Sequence, residues 1–128
     1  MEQERSILAE INASDARLML VCAVDGEIAG MCGLNLNASL KTRHRADVDI
    51  GIRRAFWGLG IGTAMFEALI DVAREKGVRQ LELDYIEGNA RGKALYEKMG
   101  FVQYGEHPEA IQLRDGSCRS LVLMQKRL

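Results

Sequence analysis

Cysteine is too scarce and too scattered in this sequence to build a framework. Cys22, Cys32 and Cys118 stand singly, an odd number without the spacing of a zinc site or a disulfide scaffold. They are expected to be small buried residues in a reducing cytoplasm. No apolar run approaches the ~20 residues needed to cross a bilayer, and the polar start Met1-Glu2-Gln3-Glu4-Arg5 lacks the pattern of a signal peptide. An excess of either charge is missing too, since 17 Lys and Arg against 18 Asp and Glu leave a formal charge of −1. That balance argues against nucleic acid or an anionic membrane as the main partner. The one basic run, Lys41-Thr42-Arg43-His44-Arg45, reads as a solvated loop. There are no repeats, low-complexity tracts or interdomain linkers, and the only proline is Pro108. What is present is a mixture 48% apolar and 27% charged, which implies a cytoplasmic globular protein with a single domain over residues 1–128.

The hydrophobic pattern divides the chain into short elements. Ile7, Leu8 and Ile11 predict an amphipathic helix over Glu2–Ala13. Leu18–Val24 reads as an apolar strand, Asp25-Gly26 as a type I′ hairpin turn and Glu27–Leu36 as the partner strand. Ala46–Ile52 alternates, with Val48, Ile50 and Ile52 on one face and Asp47 and Asp49 on the other. Gly60–Lys76 is the strongest helix, its stripe Ile61, Met65, Leu69, Val72 and Ala73 ending at Gly77. Gln80–Ile86 is a strand. Asn89 caps a helix over Ala90–Met99 that Gly100 stops. Phe101–Gly105 and Leu121–Gln125 are strands separated by a longer excursion through Pro108. The strand–helix–strand crossover from Ala46 to Ile86 makes two central strands parallel, and hairpins on either side make the flanks antiparallel. The fold class is therefore α+β (mixed α/β), a mixed and mostly antiparallel sheet flanked by helices.

Glycines cluster at one place that matters. In Trp57-Gly58-Leu59-Gly60-Ile61-Gly62-Thr63 they stand after a strand and at a helix start, where missing Cβ atoms and unpaired N–H donors favour a bound anion. A P-loop would need lysine after the last glycine, and here Thr63 and Ala64 follow. A dinucleotide fingerprint would need a third glycine at position 63. Five residues, Arg53–Trp57, also separate the strand from the loop, and too little chain follows for a doubly wound sheet.

The run from Asp49 to Met65, with its Trp57–Thr63 loop, resembles the coenzyme A-binding motif of the GNAT acetyltransferase superfamily, whose usual core is Gln/Arg-x-x-Gly-x-Gly/Ala. Asn89-Ala-Arg-Gly-Lys-Ala-Leu-Tyr-Glu-Lys-Met-Gly-Phe101 resembles the fourth-helix signature of the same family. The resemblance runs from Leu18 to the C-terminus and departs from the pattern twice. Trp57 stands where Gln or Arg is commonest. The family's initial strand and first helix are not recognisable ahead of Leu18, so Glu2–Ala13 is taken as its second helix. That leaves Leu18–Val24 as an apolar edge strand, which a partner in a homodimer could cover.

The resemblance implies an enzyme, an N-acetyltransferase moving the acetyl group of acetyl-coenzyme A to a primary amine, either a small molecule or a peptide. It also implies two central parallel strands splayed at a bulge, with the pantetheine arm in the gap. The backbone of Ile50 and Ile52 would hold that arm, Trp57, Gly58, Leu59, Gly60, Ile61, Gly62 and Thr63 the diphosphate, and Asn89 the arm from the second helix. Tyr96 matches the tyrosine that protonates the leaving thiolate, in keeping with a phenol that stays protonated near pH 7. Asp84 is the foremost candidate for the base, with Glu82 on its face and Asp47 and Asp49 on the neighbouring strand. That acidic alternation admits two readings, a solvated face or a cleft that attracts a cationic amine. His44 and His107 receive no role. The alternative to an enzyme is a non-catalytic, regulatory coenzyme A-binding module.

Overall fold

The computed structural model describes residues 5–14 and 16–128. One seven-stranded sheet runs in the order β1-β2-β3-β4-β5-β7-β6. Its strands are β1 (Arg5–Ser14), β2 (Arg17–Val24), β3 (Glu27–Leu36), β4 (Arg45–Ile52), β5 (Gln80–Ile86), β6 (Val102–Gln112) and β7 (Cys118–Arg127). Two helices, α1 (Ile61–Glu75) and α2 (Ala90–Lys98), follow β4 and β5. Among the described strands only β4 and β5 pair in parallel, which bears out the mixed, mostly antiparallel sheet.

Local chemistry explains most boundaries. Asp25 and Gly26 take φ of 51° and 82°, the paired left-handed conformations of a type I′ turn. Both helices stop in the same way. Gly77 and Gly100 take φ of 80° and 92°, and the next residues, Val78 and Phe101, donate their N–H back to the carbonyls of Ala73 and Tyr96 at 3.0 and 2.9 Å.

Three expectations are corrected. Within the described residues, 5–14 form β1 rather than a helix, and 2–4 lie outside them. Ile7, Leu8 and Ile11 fit a helical stripe, but Ile7, Ala9 and Ile11 also alternate with polar Ser6, Glu10 and Asn12. The pairing offered by the next strand decides the outcome. For the same reason β2 is not an edge: β1 pairs along it from Arg5↔Val24 to Ser14↔Arg17. The argument for a dimer from an open β2 edge therefore falls. Finally, most of the excursion around Pro108 is strand. It lies in β6, an edge strand with a register shift between His107 and Ile111 and a left-handed Glu109 (φ 49°), where a residue without an N–H is tolerated.

The core lies between α1 and one sheet face. Ile61, Met65, Phe66, Leu69, Ile70 and Ala73 of α1 are buried against inward residues such as Leu20, Cys32, Leu34, Val48 and Leu81. Two cysteines are in this layer as expected, but Cys118 is exposed. Burial is the main reason the Cys32 thiol is pushed up to about 12, which leaves it unreactive near neutral pH. Phe66 is fully buried and meets Tyr96 and Phe101 edge-on, with ring centroids 5.9 and 5.6 Å apart. Replacing Phe66 with alanine should cost about 3–5 kcal/mol, through lost burial plus a cavity, as read by urea unfolding. A loss below about 1 kcal/mol would show that this aromatic cluster is not part of the rigid core.

The parallel pair positions the site. β4 and β5 pair only at Arg45↔Gln80, Ala46↔Leu81 and Asp47↔Glu82. Beyond that point β4 follows β3 to Gly30↔Ile52, and β5 follows β7 to Ile86↔Leu121. The two strands are therefore splayed. The β3–β4 register is continuous from Leu36↔Ala46 to Gly30↔Ile52, so no extra residue in β4, and hence no bulge there, opens the gap.

Candidate active site

The gap exposes backbone. Arg53 donates its N–H to the Ala29 carbonyl at 2.8 Å, which fixes the alternation along β4. Residues 47, 49, 51 and 53 bond to β3, while Val48, Ile50 and Ile52 turn their N–H and C=O toward the β5 side. No β5 rung lies opposite or next to Ile50 and Ile52. A ligand amide chain lying there would meet a strand edge.

At the end of the gap the chain makes a single 3-10 turn, Arg54–Phe56, and then the glycine loop. Gly58 and Gly60 take φ of 81° and 76°, and Gly60 is the N-cap of α1. The first intrahelical bond is Ala64 N–H to Gly60 C=O at 3.1 Å, so the N–H groups of Ile61, Gly62 and Thr63 precede the helical ladder. Together with the positive end of the α1 dipole they suit a phosphate oxygen.

Helix α2 closes the other side. Asn89 Oδ1 accepts the Gly92 N–H at 3.0 Å, as expected of the cap, and its amide nitrogen remains a donor for a ligand. A Cβ at Gly92 would lie 2.7 Å from that amide nitrogen and 3.2 Å from the Tyr96 ring. Glycine therefore lets the cap and Tyr96 sit over one turn. Tyr96 is 8% exposed and packs on Phe66, Phe101 and Tyr85. Burial first, then the charge of Asp84, raises its hydroxyl above the usual value of 10. The hydroxyl therefore stays protonated at neutral pH.

These parts border one cleft of about 450 Å³. Ile50, Ile52, Trp57, Gly58, Gly60, Ile61, Gly62, Thr63, Asn89 and Tyr96, each singled out in the sequence, all line it. Leu59 and Asp84 do not. Asp84 emerges on the opposite sheet face because Leu83 and Tyr85 beside it turn inward. It follows the last β4–β5 rung by two residues, which puts it beside the gap.

Sequence reasoning gave no role to Phe56, Arg91, Gly92, Ala94 and Leu95, which also line the cleft. Helical spacing could have found two of them, since Arg91 and Leu95 are one turn apart and adjoin the Gly92–Tyr96 pair. Arg91 places its guanidinium 3.9 Å from the Trp57 ring centroid, and Arg54 lies 5.3 Å from the same ring. The Trp57 indole N–H donates to the Ile52 carbonyl at 3.0 Å. The residue at position 57 thus brings no charge of its own, and Arg91 supplies a cation to the rim.

On the opposite face, the acidic residues divide into two kinds. Asp49 accepts from Arg17 at 2.9 and 3.3 Å and from Asn35 at 3.2 Å, and the Arg17 bond is the main reason its carboxyl is held below the usual range. Glu82 accepts from Arg45 at 2.6 and 2.9 Å. Among the described residues no arginine or lysine makes such a pair with Asp47 or Asp84. Burial, followed by the charges of Glu82 and Asp84, raises the Asp47 carboxyl above its usual range, with Arg45 opposing. Among the described residues, these two acids therefore stand beside the gap without an ion pair.

The chain belongs to the acetyltransferase (GNAT) family, whose sequence pattern matches residues 1–101. Acetyl-coenzyme A is the cosubstrate of that family. Over 98 residues the chain is 31% identical to the streptothricin acetyltransferase of Streptomyces lavendulae, a match covering 76% of this chain and 50% of that protein. Its fold is similar to a GNAT-family acetyltransferase structure from Streptococcus pneumoniae, with a TM-score of 0.84, 29% identity, and coverage of 91% of this chain and 70% of that one. A Salmonella typhimurium structure solved with its cofactor acetyl-CoA has a TM-score of 0.79 over 88% of this chain and 65% of that one, and at 23% identity shows the fold alone. The chain spans from a fifth to about half of the length of the curated relatives it matches. No described helix is long and apolar enough to cross a membrane.

Proposed function

We propose that this chain transfers the acetyl group of acetyl-coenzyme A to a primary amine by direct attack. The observation that carries the reading is the convergence on one cleft of the α1 N-terminus, the edge of β4 that β5 leaves without a partner strand, Asn89 and Tyr96. The diphosphate would take the Ile61, Gly62 and Thr63 N–H groups and the charge of Arg91, each such bond contributing on the order of 1.5–3 kcal/mol. The pantetheine arm would bond the Ile50 and Ile52 backbone, with the Asn89 amide reaching it from α2.

In the reaction the amine lone pair attacks the thioester carbonyl and the carbon–sulfur bond breaks. The thiolate takes the Tyr96 proton, and the proton lost by the amine goes to Asp84, directly or through water. Asp47 and Asp84 together would also draw a cationic amine to the gap. A regulatory module that merely binds coenzyme A would need the cradle but neither the phenol nor the acids.

Trp57 is the sole tryptophan and lines the cleft, so its fluorescence reports occupancy. Acetyl-coenzyme A should change that fluorescence saturably, whereas NAD or ATP at equal concentration should not. Absence of saturable binding, checked by calorimetry, sinks the assignment of the cleft.

A further inference from the structure

We propose that a second groove, on the sheet face opposite the helices, binds the acceptor, and that it selects a primary amine with an apolar body and a distal carboxylate. This inference rests on the acetyl-transfer reading above. The groove holds about 520 Å³, and its lining includes Ile50 and Ile52, the same two residues that wall the cofactor cleft. The two spaces therefore lie on either side of one short stretch of β4, beside the gap where β5 has departed. A nucleophile in this groove can approach a thioester held in the gap from the face opposite α1.

The lining is ordered by charge. Asp49 and Gly51 share this face of β4, and Arg53, the residue that follows the strand, lines the groove with them. At one end lies the Arg17–Asp49 ion pair, both partners lining the groove, in which Asp49 Oδ1 accepts one bond from Arg17 and keeps a second acceptor position. Its side chain is 55% exposed. At the other end lies Arg53, planted by a 3.2 Å bond from Nη1 to the Ile28 carbonyl, with further N–H groups to offer. Between them the walls are Met19, Ile28 and Met31. Ile28 and Met31 are 51% and 42% exposed, large apolar side chains left open along this groove. The acid, apolar span and base follow one another over four residues, or roughly 13 Å of strand. An extended amine ending in a carboxylate has the complementary order.

Gly51 makes the floor. A Cβ built there would have nothing within 4 Å, and its backbone is not left-handed. Valine at this position fills the groove without straining the fold, and it suits a strand. The experiment measures acetyl transfer to methylamine, hexylamine, 6-aminohexanoate and 1,6-diaminohexane. The wild-type kcat/KM should rank 6-aminohexanoate above hexylamine by about tenfold, the scale of one charge-assisted pair, and hexylamine above the diamine. Arg53→Gln should bring those three within about twofold of one another. Gly51→Val should lower the ratio of 6-aminohexanoate to methylamine by about tenfold or more, from lost burial of the hexyl chain. The Trp57 response to acetyl-coenzyme A verifies that each variant folds.

Equal rates for the three hexyl compounds, or an unchanged ratio in Gly51→Val, would overturn the groove assignment while leaving acetyl transfer intact. Preference for the diamine would overturn it in favour of the acids at the gap. Saturable cofactor binding without transfer to any amine would instead remove the catalytic reading, and this inference with it.

Discussion

Replacing Tyr96 with phenylalanine is expected to lower kcat by roughly 10²–10⁴, the range for a lost general acid, while acetyl-coenzyme A affinity changes little. The change removes one oxygen and keeps the ring, so the contacts to Phe66, Phe101 and Tyr85 that seat the side chain persist. The direction of the hydroxyl pKa sharpens the expectation. Burial and the Asp84 charge hold it above 10, so the donor form persists through neutral and mildly alkaline pH. A basic limb caused by Tyr96 itself would begin only above that value. Single-turnover measurement with saturating cofactor isolates the chemical step. Activity equal to wild type would take Tyr96 out of the mechanism.

Asp84→Asn should be nearly as damaging, cutting kcat/KM by about 10² or more if that carboxylate receives the amine proton. Activity that requires an ionised base falls as pH decreases, so the acidic limb is the informative one. The Asp84 charge is one of those that raise the Asp47 carboxyl. Its removal takes away only the smallest of those causes. Residual activity that runs through Asp47 should therefore show an acidic limb above the ordinary carboxylate range, because burial and Glu82 still raise that carboxyl. A rate and profile identical to wild type would assign the proton to water or to another group.

Elements governed by neighbouring residues are legible in the sequence. The turn at Asp25-Gly26, the cap at Asn89 and the stops at Gly77 and Gly100 each depend on one or two residues whose backbone preferences are strong. Helix α1 was readable because its stripe repeats over four turns. The cleft beside β4 is legible mainly through two sequence motifs, and ten of the residues read from them line it. What escaped depends on distant pairing. The chain at 5–14 carries apolar positions that suit both periods, and only the neighbouring β2 makes it a strand. The length of β6 is set by its partner β7, so Pro108 misleads. Arg91 escaped because its significance lies across space, over Trp57, 34 positions away in the chain. Nor can alternation alone distinguish Asp49 and Glu82 from Asp47 and Asp84, because the arginines that neutralise the first pair come from elsewhere in the fold.

The three rungs between Arg45–Asp47 and Gln80–Glu82 have a consequence for how the molecule holds together. The sheet consists of a four-strand panel, β1 to β4, and a three-strand panel, β5, β7 and β6, hinged along one short edge. A pantetheine arm between them would complete the hydrogen-bonding that the panels leave open, as a temporary rung in the sheet itself. The angle of the hinge then becomes a property of the loaded protein, and cohesion rises with cofactor concentration. By mass action a ligand at a hundred times its Kd adds about 2.7 kcal/mol, a substantial part of what keeps a domain of this size folded.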